Sequence, residues 1–138
     1  MLESVVQSLV SGFPALALQF VVALAMLAAG VALYVLMTPM REIQLIRANN
    51  AAAALATAGA MVAMAIPLAA VIVSSVNVVD VLIFGVVALL LQLLADFVTH
   101  ALLRELPQRI VKGEIAAAII LIGIKVSVAL LNAAAVTV

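Results

Sequence analysis

Four long apolar runs, from about Leu16 to Met37, Ala51 to Val73, Val81 to Leu103 and Ile115 to Val136, constrain this chain more than any other feature. A helix crossing a bilayer needs about 20 such residues, and each run is long enough. Together they take up most of the 138 residues and leave room only for hairpins and an N-terminal arm, residues 1–15. The prediction is an all-α fold, an integral membrane four-helix bundle. Composition agrees, because 70% hydrophobic and 9% charged residues are far from the make-up of a soluble domain. No separate catalytic or nucleic-acid-binding domain fits. The absence of cysteine removes disulfides, thiolate metal ligands and a cysteine nucleophile. Met1 to Gly12 carries Glu3 and no basic residue, unlike a secretory signal, so the N-terminus is expected to be retained.

The breaks fall where polar and turn residues collect. Residues 38–50 hold a Thr-Pro pair suited to a helix start, Met40, Ile43 and Ile46 at helical spacing, and Asn49 and Asn50 as expected caps. A short interfacial helix is predicted there. Residues 104–114 repeat the scheme with Pro107, Ile110 and Gly113, whereas Ser74 to Asp80 reads as a tight polar turn. Arg41, Arg47, Arg104, Arg109 and Lys112 all lie in the first and third breaks. The positive-inside rule puts those two loops in the cytoplasm, and an even number of crossings puts both termini outside.

Shifting the sequence by 65 residues pairs Phe20–Val73 with Gly85–Val138 without a gap and gives 11 identities in 54 pairs. Position carries more weight than number: Ala51, Ala52 and Ala53 fall on Ala116, Ala117 and Ala118, and Arg47 falls on Lys112. The expected organisation is two tandem helical hairpins, 16–73 and 81–138, related by a pseudo-twofold along the membrane normal. The alanine-rich starts of the second and fourth spans suit close packing, centrally or against the same helices of a homodimer.

Asp96 and Lys125 lie inside the third and fourth spans, where an unpaired charge is costly. Their depths differ by roughly 6 Å at the α-helical rise, so an ion pair between neighbouring helices is predicted. Gln92, Asp96 and His100 recur every four residues and put a polar stripe on one helix face. That stripe could pass protons or line an ion path, or it could serve only as packing between helices. Pro67 and Asn132 occupy matching places in the second and fourth spans, as a substrate or ion site or as a kink opposite a hydrogen bond. Loop charges such as Arg41 with Glu42 and Arg104 with Glu105 read as solvated or headgroup-facing pairs. No Ser-His-Asp set, metal-ligand cluster or glycine-rich phosphate loop occurs, so neither enzyme activity nor a metal or cofactor is expected.

At Thr38-Pro39, Glu42, Leu45-Ile46, Asn49-Asn50-Ala51-Ala52, Pro67-Leu68, Gln92-Leu93 and Asn132-Ala133-Ala134, the chain resembles the YjfL family of small bacterial inner-membrane proteins. That family is catalogued as a domain of unknown function that often occurs twice per chain, and the likeness runs from about Leu16 to Val138. The resemblance marks Thr38, Pro39, Glu42, Asn49 and Asn50 as a motif loop. It implies a multi-pass protein of the bacterial cytoplasmic membrane, with genomic neighbours that include phage-shock-type remodelling proteins and ligases resembling glutathionylspermidine synthetase. It supplies no activity, and Asp96, His100 and Lys125 depart from its pattern. Two functional readings stay open. The first is a membrane scaffold or partner protein in envelope maintenance, a homodimer or higher homo-oligomer in the lipid bilayer that works with other envelope proteins and binds no nucleic acid. The alternative is a small ion or solute channel or transporter using Gln92, Asp96, His100 and Lys125.

Overall fold

The computed structural model describes residues 1–38 and 41–137. Its elements are α1 (Leu2–Met37), α2 (Glu42–Arg47), α3 (Ala51–Ser74), α4 (Val78–Leu102), α5 (Glu105–Val111) and α6 (Ile115–Val136). No strand occurs among the described residues. The helices α1, α3, α4 and α6 are long and apolar enough to cross a membrane, while α2 and α5 are the short helices expected in the first and third breaks. Pro39 and Met40 of the first break, and Val138, lie outside the described residues.

Two boundaries differ from expectation. The N-terminal arm is helical and continuous with the first span, so α1 runs for 36 residues. Leu2, Val5, Val6, Leu9 and Val10 extend the apolar pattern outward, and the Ser4 and Ser11 hydroxyls donate back to the Met1 and Gln7 carbonyls at 2.7 and 2.8 Å. Pro14 stays within the helix, since proline costs it one backbone donor without forcing an end when the flanking turns are sound. The second break is shorter than Ser74 to Asp80. Asn77 caps α4 by accepting from the Asp80 backbone N–H at 3.0 Å, which starts that helix at Val78.

The hairpin loops at the other end close in one way. After α2, Asn49 takes a left-handed backbone (φ 65°), and the Asn49 and Asn50 N–H groups donate to the Ile46 and Leu45 carbonyls, each at 2.9 Å. After α5, Gly113 (φ 86°) and Glu114 donate to Ile110 and Arg109 at 2.9 and 3.1 Å. Both are Schellman closures, which need a residue tolerant of positive φ. Asn50 then caps α3, accepting from the Ala53 N–H at 3.1 Å, and its amide donates to the Ile110 and Val111 carbonyls, both at 3.1 Å. One asparagine thus ties the start of α3 to the end of α5.

The most extensive helix contact is between α3 and α6, with α1 against α4 and α3 against α4 completing the bundle. Small side chains explain the first. Ala52, Ala53 and Ala56 of α3 are essentially unexposed and face Ala117, Ala118 and Leu121 of α6 across a core that Leu106 and Ile110 of α5 close at one end. Lipid gives no hydrophobic reward for helix association, so close van der Waals approach has to supply it. The tightest point is Gly59, where an added Cβ would lie 2.3 Å from Ile122 Cγ1.

Candidate functional site

The half of the bundle nearest α2 and α5 buries an unusual set of polar side chains. Glu42, Gln92, Asp96 and Lys125 are each no more than 4% exposed, and Asn132, further along α6, is 8% exposed. Burial of such groups is costly unless hydrogen bonds or charges compensate.

Lys125 is ten residues into α6, roughly 15 Å along its axis. Its ammonium donates to the Tyr34 hydroxyl and lies 4.0 Å from the centre of the Tyr34 ring. Helix direction favours this meeting. Cα–Cβ bonds tilt toward a helix's N-terminus, which sends Lys125 toward the α5 end and Tyr34, from the oppositely directed α1, toward the bundle centre. Tyr34 offers both an oxygen acceptor and a π face for a desolvated cation. The predicted Asp96–Lys125 ion pair is therefore not made: Lys125 takes tyrosine, and the one ion pair among the described residues is the exposed Arg109–Glu114 contact at 2.6 Å. Sequence points to an opposite charge as the partner of a buried lysine, and a neutral tyrosine in the first span carries no such signal.

Glu42 overturns a second expectation. It is 1% exposed rather than headgroup-facing, because α2 turns this residue inward under α3. Its Oε2 accepts from the Thr57 hydroxyl at 3.2 Å, while its Oε1 has no hydrogen-bond partner among the described residues. Burial holds its carboxyl above the ordinary glutamate range, and the Thr57 hydrogen bond, the Lys125 charge and the nearby Thr38 and Tyr34 hydroxyls only partly oppose that. Arg41, Arg104 and Glu105 are exposed, as expected.

The α4 stripe is real, but its members do different things. Gln92 donates to the Lys125 backbone carbonyl at 3.3 Å. His100 Nδ1 lies 2.8 Å from the Asp96 carbonyl oxygen, so in the neutral ring Nδ1 carries the proton and Nε2 keeps the lone pair. Asp96 Oδ2 and His100 Nε2 have no hydrogen-bond partner among the described residues. Asn132 donates to the Ala88 carbonyl at 3.0 Å and to Gln92 Oε1 at 3.4 Å, leaving its own oxygen unpartnered. Pro67 is buried in α3, and the Asn132 hydrogen bonds go to α4. A polar thread therefore runs from Asn132 through Gln92 to the Lys125 backbone, and from the Lys125 ammonium to Tyr34.

A cavity of about 20 Å³ lies beside Tyr34, lined also by Thr38 and His100. That is room for about one water. Of the motif loop, Glu42 and Thr38 belong to this region, Asn50 is the brace described above, and Asn49 supplies the left-handed turn. No group of three or more His, Cys, Asp or Glu side chains able to hold a metal occurs among the described residues. Tyr34 and Thr57 are the members that sequence reasoning missed. An aromatic hydroxyl and a hydroxyl flanked by alanines inside spans are ordinary residues there, and only their placement opposite Lys125 and Glu42 marks them.

The chain matches the family described as Domain of Unknown Function (DUF350) over residues 8–136. It is 30% identical over 118 residues to the inner membrane protein YjfL of Escherichia coli K12, covering 86% of this chain and 89% of that protein. The corresponding protein of Escherichia coli O157:H7 matches to the same extent. No solved structure matches.

Proposed function

The chain belongs to the DUF350 family, and from that premise and its buried cluster we propose that it is a multi-pass inner-membrane protein that moves protons through a switchable charge site centred on Lys125. The observation that carries the reading is one buried lysine held by a tyrosine in the same buried cluster as two carboxylates, Glu42 and Asp96, each with one oxygen that makes no hydrogen bond among the described residues. Both carboxylates are near enough to act on Lys125 electrostatically. A cluster built only for packing would be expected to satisfy its polar atoms, since an unmade buried hydrogen bond costs about 1–3 kcal/mol. Full ionisation leaves two negative charges against one positive, so neutrality needs one further proton. Lys125, with three donors and a long stem, can exchange Tyr34 for either carboxylate as that proton moves.

The α2/α5 end is the cytoplasmic one in this reading, because Arg41, Arg47, Arg104, Arg109 and Lys112 are all at that end. The name of the relative supports the inner membrane. Two hairpins related by a pseudo-twofold fit the paired burial of Ala52 with Ala117, Ala53 with Ala118, Ala56 with Leu121 and Ala60 with Lys125, all 65 residues apart. The scaffold reading, a homo-oligomer working with other envelope proteins, draws on the small-residue seam between α3 and α6. It gives the unpartnered carboxylate oxygens no role.

The test is proton flux into vesicles containing purified protein and a pH-sensitive dye, driven by a potassium diffusion potential. Wild type should exceed protein-free vesicles, and Asp96→Asn and Glu42→Gln should each fall to the protein-free leak. Wild-type flux equal to that leak, or variants as fast as wild type, would refute the proposal.

A further inference from the structure

At the α2/α5 end a cleft of about 430 Å³ opens between the ends of α1 and α4 and the side of α5. That volume is within the range of about 300–1,000 Å³ typical of ligand sites. Met37, Phe97 and Val111 supply apolar walls, and Arg104, Gln108 and His100 supply polar atoms. Met37 and Phe97 are 51% and 58% exposed, so much of these walls is left uncovered by the described residues. Arg104 makes no ion pair among the described residues, although Arg109 one turn on pairs with Glu114.

The cleft lies where α4 stops and the short helices begin, the level at which a bilayer changes from hydrocarbon to headgroup. An apolar slot that ends at an unpaired guanidinium matches a molecule with an anionic head and an apolar tail. A zwitterionic headgroup brings its own cation and competes with Arg104, and free phosphate leaves the walls uncovered. Arginine suits the head because its fork binds phosphate oxygens in pairs, and basic clefts between helices are a known form of anionic lipid recognition.

We propose that this cleft binds one anionic phospholipid, with its phosphate on Arg104 beside Gln108 and an acyl chain along Phe97 and Met37. His100 lines both the cleft and the water-sized cavity next to Tyr34. The bound lipid therefore covers the approach to the buried cluster. The site does not depend on proton movement for its existence.

Native mass spectrometry of the delipidated full chain, titrated with phosphatidylglycerol or phosphatidylcholine, tests it. Phosphatidylglycerol should bind at one saturable site more tightly than phosphatidylcholine. Arg104→Gln should weaken it about fivefold, the value of one basic contact. Arg47→Gln, an exposed arginine at the same end but outside the cleft, should leave binding unchanged, and millimolar inorganic phosphate should not displace the lipid. Equal binding of the two lipids, an Arg104→Gln variant as tight as wild type, an equal loss in Arg47→Gln, or displacement by phosphate would each overturn the proposal.

Discussion

At the scale of the residue, Glu42 carries a direct pH signature. Burial raises its carboxyl above the ordinary value, so the folded protein holds a proton that the unfolded chain has already released. Its stabilising effect is complete below the ordinary glutamate value and is lost as pH rises through the folded value. Thermal melting of the detergent-solubilised protein should therefore show stability falling with rising pH across that window. The slope is at most about 1.4 kcal/mol per pH unit for one proton, and Glu42→Gln should flatten it. A wild-type profile that is level there, or one that Glu42→Gln leaves unchanged, would contradict the assignment. The cost of burying Lys125 and Asp96 was legible from residue type and position in a span. The partner of Lys125 was not, because Tyr34 is 91 residues away in sequence and neutral. Glu42 was hidden for a different reason: a charge beside a basic residue in a loop looks solvated until the short helix carrying it is seen to turn inward.

At the scale of the element, the spans could be read from length and hydropathy, and both short helices from their proline, apolar spacing and terminal Asn or Gly. The helical arm could not, since residues 1–15 are too mixed to form a span on their own and gain helix only as a continuation of α1. The alanine runs of α3 and α6 pointed correctly to a close seam, and its narrowest contact can be tested. Gly59→Ala places a methyl group against Ile122 and should cost about 1–3 kcal/mol, the usual penalty for overpacking. Gly123→Ala on α6 meets nothing within 4 Å and should be neutral or stabilising by up to about 1 kcal/mol. Melting temperatures of the two variants in one detergent make the comparison; equal values would mean that the seam is looser than described.

At the scale of the whole molecule, four packed helices enclose a polar cluster that sits toward one end, with contributions from α1, α2, α3, α4 and α6. The bundle was predictable because hydropathy alone dictates it. The cluster was only half predictable, since α4 and α6 declare their charges while α1, α2 and α3 contribute through residues that become notable by position. Lys125→Met provides the most direct test that this cluster works rather than merely packs. Removing one buried charge normally strands its counter-charges, but Glu42 and Asp96 can each become neutral by taking up a proton, so the loss of the Lys125 ammonium leaves no uncompensated charge in the bundle. Melting and proton flux measured on the same purified Lys125→Met protein should show an intact bundle with flux reduced to the protein-free leak. Flux equal to wild type, or a collapsed bundle alongside a wild type that moves no protons, would contradict the account.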